Sequence, residues 1–310
     1  MISYAAFPHI VESIVHYADT PTLLVLRATS RRLRKCVDKR LARHVVLKRG
    51  QPTRCREANI VLSDRAELLK LVKRADLYGC LPGMCNCKRE TVPPGLLDYA
   101  RIFTTPRANW DRCTLRARET VYVLNVAPTR HCPVQLPLHP LPGGSTVRII
   151  IRFDPSNPHL PEVIFSRAII LPDIPSKIKY EVFLVPTPQP PTGSQPWRYH
   201  NSGIHFVSGL VDVFAECFAT LDASLLLVGY ESVPLSFPAS GSSQGDEVVT
   251  ADMLDEEFVF LVKTSSNTPE ERQADLANLR YQTAADYAAA HGCKTLEDMD
   301  VFDGLGGIAV

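Results

Sequence analysis

YEVFLV at 180–185, IHFVSGLVDVFAECFATL at 204–221 and SLLLVGY at 224–230 decide the fold of this 310-residue chain. The first and last runs are β-branched, aromatic or leucine-rich and bounded by Pro or Gly, as buried strands are. Between them Val207, Leu210, Val211, Phe214, Cys217, Phe218 and Leu221 follow the i, i+3, i+4, i+7 spacing of an amphipathic helix, with Asp212 and Glu216 on the solvent side. Residues 186–196, PTPQPPTGSQP, read as a stiff exposed loop. A strand, a helix and a second strand of this length make a βαβ crossover, which joins parallel neighbours.

Working outward, the same strand signature recurs at Val121–Leu124, Val147–Phe153, 163–165 with 168–171, Ala75–Tyr78, His44–Leu47, Ala58–Leu62 and Phe258–Val262, with a last strand at Leu279–Tyr281. Near-continuous apolar runs of this kind predict a sheet covered on both faces. Helices are predicted from Ala66 through Val72 behind a Ser63 or Asp64 cap, briefly over Pro94–Tyr99, and from Ala284 to His291 behind Thr283, ending at Gly292. The expected fold class is therefore α/β, with a mostly parallel or mixed sheet over residues 44–303 and a frayed tail at 304–310. No leucine-rich or propeller-blade period recurs along this domain.

The chain before it differs. Residues 1–43 read as a helical head of three short helices opening at Phe7-Pro8. Pro8 occupies a first-turn slot that tolerates it. Asp19 and Pro21 stop one helix and start the next, and Ser30 caps a third carried by Leu33, Val37 and Leu41. Phe7-Pro8, the pair Leu23-Leu24 and the step Ser30-Arg31-Arg32-Leu33 give the stretch 7–47 its character. It resembles an F-box, specifically the F-box-like segment at the start of many fungal proteins. The resemblance implies a helix-in-groove contact with the Skp-type adaptor of a cullin ubiquitin ligase, leaving the α/β domain to select a protein substrate that the sequence does not identify. By position in the matching motif, Phe7, Pro8, Ile10, Ile14, Leu23, Leu24 and Leu26 are the expected adaptor-binding residues, some of which must instead pack the helices together. The alternative is a non-ligase domain that binds another protein or a ligand, with these helices as its cap.

Composition is that of an ordinary globular chain, 45% hydrophobic and 22% charged, which argues against a disordered one. Formal net charge is +1, but residues 1–120 hold 23 Lys/Arg against 11 Asp/Glu (+12) and the remainder 11 against 22 (−11). Such a split signals either an acidic partner or halves that attract each other; the second is favoured. Nine irregularly spaced cysteines, no basic leader before Pro8, no Asn-X-Ser/Thr acceptor and no membrane-length apolar run point to reduced thiols in a cytoplasmic or nuclear protein without a membrane partner.

No catalytic, cofactor or metal site is expected. Cys80, Cys85 and Cys87, with Cys55 and His44 upstream, lack the two close pairs that zinc prefers. Gly241-Ser242-Ser243-Gln244-Gly245 matches a nucleophile elbow literally, but no strand enters it and no helix leaves it. His131-Cys132 lies among prolines, and no phosphate-binding glycine motif follows a strand. The basic run Arg31–Arg43 reads as the solvated face of a helix, so nucleic-acid binding is not expected. The sequence thus predicts a non-catalytic interaction protein.

Overall fold

The computed structural model describes residues 7–48, 51–56, 60–62, 66–78, 93–103, 115–125, 134–136, 140–141, 143–153, 163–165, 177–186, 209–210, 223–233, 248–256 and 276–291, with single positions at 58, 259, 268 and 270. It is mixed α/β and falls into two units. One comprises residues 1–104, 108–120 and 141–143; the other comprises 105–107, 121–140 and 144–310.

The first unit opens with α1 (Pro8–Tyr17), α2 (Thr20–Thr29) and α3 (Arg31–Leu41). Their boundaries follow from local chemistry. Pro8 stands in the first turn of α1. Asp19 caps α2 by accepting from the Thr22 N–H at 3.0 Å, and Ser30 caps α3 by accepting from Leu33 N–H at 3.2 Å. After a two-residue turn come β1 (His44–Lys48), β2 (Arg54–Cys55), α4 (Ala66–Leu69), β3 (Arg74–Tyr78) and β4 (Leu96–Phe103). The strand order here is β4-β3-β1-β2. β1, β3 and β4 are parallel, in the register His44↔Arg74↔Tyr99, and β2 returns antiparallel on β1. The sheet is therefore mostly parallel with a mixed edge.

Three local expectations fail in this unit, the first being the helix expected from Ala66 through Val72, which ends at Leu69. Residues 94–99 do not form a helix, because β4 begins at Leu96. Leu97, Ala100 and Ile102 are buried, and a complete parallel ladder with β3 outweighs a weak helical preference. The described residues of the expected strand 58–62 supply a bridge, Val61 opposite Arg54, while Arg54–Cys55 is the segment that pairs with β1. β5 (Arg116–Asn125) also begins earlier than the apolar run at 121–124 suggests. Its first half alternates exposed Arg116 and Arg118 with buried Ala117 and Thr120, a polar-faced pattern that carries little hydrophobic signal.

In the second unit β7 (Thr146–Phe153), β9 (Ile178–Pro186), β10 (Ala223–Val228) and β11 (Leu279–Gln282) are ordered β11-β10-β9-β7, all parallel. The parallel pairing of β9 with β10 is the one the βαβ reading requires. Seven of the nine residues of β9 are buried, the mark of a strand covered on both faces. One of the seven is Glu181, paired with Arg148 and Lys179. Phe183 meets Tyr287 edge to face at 5.1 Å. Tyr287 lies on α5 (Ala284–Ala290), which Thr283 caps by accepting from the Asp286 N–H. β10 ends at Gly229 with φ +81°, where a Cβ would sit 2.5 Å from the Leu184 carbonyl oxygen. Glycine is required there twice over, by conformation and by space. A separate parallel pair joins β6 (Val134–Leu136) and β8 (Val163–Phe165).

The predicted helix at 204–221 is described only at 209–210, which are helical. Of the strand expected at 258–262 only Val259 is described, and it is helical. The loop expected at 186–196 gives up Pro186 to β9, and its remainder, the strand expected at 168–171 and the tail lie outside the described residues.

Candidate functional site

The helical head of the first unit carries apolar side chains on two sides. Val11 and Val15 of α1, Leu23 of α2, and Val37 and Leu41 of α3 are buried and form its core. At positions 7, 10, 14 and 17, a heptad-like spacing on one face of α1, Phe7, Ile10, Ile14 and Tyr17 are exposed. On α2 the neighbours Leu24 and Val25 are exposed at 42% and 65%, whereas Leu23 is exposed at 1%. Six large apolar side chains facing water on two short helices is more than scattered surface hydrophobicity accounts for.

The structure thus sorts the seven residues singled out from the sequence. Phe7, Pro8, Ile10, Ile14 and Leu24 face solvent, Leu26 is half-buried, and Leu23 belongs to the core. Tyr17 and Val25 were missed. Tyr17 was within reach, since it continues the 7, 10, 14 spacing, but Val25 shares no motif position with the F-box pattern.

Polar bonds hold the head in place. Arg27 Nε of α2 donates to Asp38 Oδ1 of α3 at 2.7 Å, and Asp38 is nearly buried. The Cys55 thiol donates to the Leu41 carbonyl at 3.1 Å. The Arg43 carbonyl accepts from both Lys73 and Arg74 N–H groups, at 2.8 and 2.9 Å. Deeper in the same unit, the fully buried Asp76 of β3 gathers three basic groups. Arg101 Nε donates to its Oδ1 at 3.0 Å, while Arg56 Nη1 and His44 Nε2 lie 3.0 and 3.1 Å from Oδ2. Burial by itself raises the Asp76 pKa, but His44, Arg101 and Arg56 outweigh it and hold the carboxyl below its ordinary range.

His44 and Cys55, the two upstream candidates for a metal site, are therefore engaged separately, one facing a carboxylate and the other a backbone carbonyl. Among the described residues no group of three His, Cys, Asp or Glu is placed to hold a metal ion. Cys80, Cys85, Cys87, His131, Cys132 and Gly241–Gly245 lie outside the described residues. No described helix is long and apolar enough to cross a membrane. No family model, curated protein or solved structure matches the chain.

Proposed function

We propose that the chain is an F-box-like substrate receptor, whose head docks on the Skp-type adaptor of a cullin ubiquitin ligase and whose α/β domain selects a protein to be modified. The observation that carries this reading is the exposed apolar stripe Phe7, Ile10, Ile14 and Tyr17 on α1, with Leu24 and Val25 on α2. Five of the residues that match the F-box motif are among the solvent-facing ones. Burying a leucine- or phenylalanine-sized side chain contributes about 1.5–3 kcal/mol, so a few of them suffice for a specific complex. The role is one of binding rather than catalysis.

The test is co-expression with a Skp-type adaptor followed by size-exclusion chromatography. The intact chain is expected to co-elute. Leu24→Asp and Ile14→Asp, each placing a charge on an already exposed position, are expected to lose the adaptor while changing folding stability by no more than about 0.5 kcal/mol. An intact chain that runs as a monodisperse monomer and ignores the adaptor would refute the proposal.

One observation supports a second reading, a non-ligase α/β domain with a helical cap. The bonds from Leu41 and Arg43 tie the end of the head directly to Cys55, Lys73 and Arg74 of the first unit. A cap of this kind predicts that Leu24→Asp leaves every binding property of the chain unchanged.

A further inference from the structure

Where α1, α3, β1, β3 and β4 meet, the first unit contains an open pocket of about 840 Å³ lined mainly by basic residues. Lys39, Arg40, Arg43, Lys70, Lys73 and Arg74 line it beside His16 and His44, with Asp98 as the sole carboxylate. We propose that this cavity is a binding site for a compact small molecule bearing two or three phosphate groups. The inference stands independently of the ligase reading.

Three observations lead there. The first is that the backbone forces the like charges together. The Arg43 carbonyl accepts from the Lys73 and Arg74 N–H groups, and the Lys73 carbonyl accepts from Asp98 N–H at 2.8 Å. The starts of β3 and β4 and the turn after α3 are thereby locked, which fixes the backbone positions from which Arg43, Lys73 and Arg74 project. Their mutual repulsion is relieved by an anion held between them.

The second is the state of two arginines. The Arg40 Nε is buried and has no hydrogen-bond partner among the described residues, and a buried donor is costly to leave unsatisfied. A phosphate oxygen that draws the guanidinium fork forward satisfies it. Arg74 is steadied from behind, its guanidinium 5.2 Å from the centre of the Tyr99 ring. Oriented guanidinium forks favour phosphate, which they grip with two parallel bonds.

The third is charge and size. Six Lys/Arg against one carboxylate leave an excess of five positive charges. A phosphate monoester carries about −1.5 to −2 at neutral pH, so two or three groups match the lining and one does not. A cavity of this volume lies in the range of small-molecule sites, roughly 300–1,000 Å³. A helix-by-helix reading of the sequence assigns Lys39, Arg40 and Arg43 to a solvated face and cannot show that Lys70, Lys73 and Arg74 converge on them.

The experiment is isothermal titration calorimetry of the intact chain with tripolyphosphate, beside inorganic phosphate and sulfate at the same ionic strength. Tripolyphosphate is expected to bind at one site per chain, at least about tenfold more tightly than inorganic phosphate. The double variant Arg43→Ala, Lys73→Ala keeps the backbone bonds and is expected to lose a further tenfold or more with an unchanged thermal melt. Lys39→Ala with Lys70→Ala serves as a second pair should the first melt early. Arg31→Ala with Arg34→Ala, on exposed α3 positions outside the cavity, is expected to change nothing. The proposal is overturned if binding is not saturable at one site, or if the Arg31/Arg34 pair weakens it as much as the cavity pairs do. It is overturned equally if a single-stranded oligonucleotide or a doubly phosphorylated peptide binds the same residues tenfold more tightly, which would assign the cavity to a macromolecule.

Discussion

Replacing Asp76 by Ala is expected to lower the unfolding free energy by about 3–5 kcal/mol, the range found when one member of a buried ion pair is removed. Asp76 is fully buried and Arg101 is exposed at only 1%, so the variant leaves a guanidinium in the interior without the carboxylate that faces it at 3.0 Å. Arg56 and His44 lose the same anion. A loss of this size is a large fraction of the stability of a typical domain, and denaturant or thermal unfolding reads it directly. Asp76→Asn, which keeps an oxygen for Arg101 but drops the charge, is expected to fall between Ala and the parent.

The pH dependence carries the same signature. The folded-state pKa of Asp76 is depressed, so its contribution is complete above the unfolded-state value of about 4. It is lost as pH falls below that value and through the lower folded one. The stability difference between the parent and Asp76→Asn should therefore be fully present just above pH 4 and shrink on further acidification. A difference that grows as pH falls below about 4 would contradict the sign. Glu181 in the second unit is also held below its ordinary range: burial raises it, and Arg148 and Lys179 more than reverse that. It gives both proteins a common acid limb and cancels in the comparison.

The second large effect distinguishes two adjacent leucines. Leu23→Asp is expected to cost about 4 kcal/mol or more, because it sets a carboxylate into the apolar contact of the helical head, where Leu23 is exposed at 1%. Leu24→Asp, one residue on, should cost almost nothing in folding. Far-UV circular dichroism during thermal unfolding separates them, and limited proteolysis within residues 7–43 should cut the Leu23 variant first. Equal melting of the two variants would mean that α2 does not pack as described. The adaptor test then depends on Leu24 alone, since loss of binding in a Leu23 variant would report only an unfolded head.

That contrast shows where the sequence is legible. Period alone places Ile10 and Ile14 on one face of α1, and Val11 and Val15 follow the same spacing of four one position later. Which stripe turns inward depends on what α3 offers, which no window on α1 contains. The capping residues Asp19, Ser30 and Thr283 were readable because an N-cap is a bond to a neighbour three residues on. The runs at 147–153 and 180–185 were readable because strands covered on both faces are near-continuous in apolar residues, even with Arg148, Arg152 and Glu181 among them. Residues 94–99 were misread, since Leu96 to Tyr99 become a strand only through the ladder that β3 provides. The Asp76 cluster and the basic cavity were invisible for a related reason. Their members stand on separate helices, strands and turns, and the parallel register His44↔Arg74↔Tyr99 brings the strand members together.

The parallel neighbours of β9 also bear on how the second unit acquires its structure. Tyr180 lies opposite Val147 on one side and Leu225 on the other, and Leu225 lies opposite Leu279. None of these partners is reached by a tight turn, so each pairing must close a long loop before any burial rewards it. Folding of this unit should be slow compared with that of the head, whose helices meet across turns of a few residues. During synthesis β9 leaves the ribosome before β10 and β11 exist to flank it, and its largely buried run of apolar residues is then the segment most in need of a chaperone.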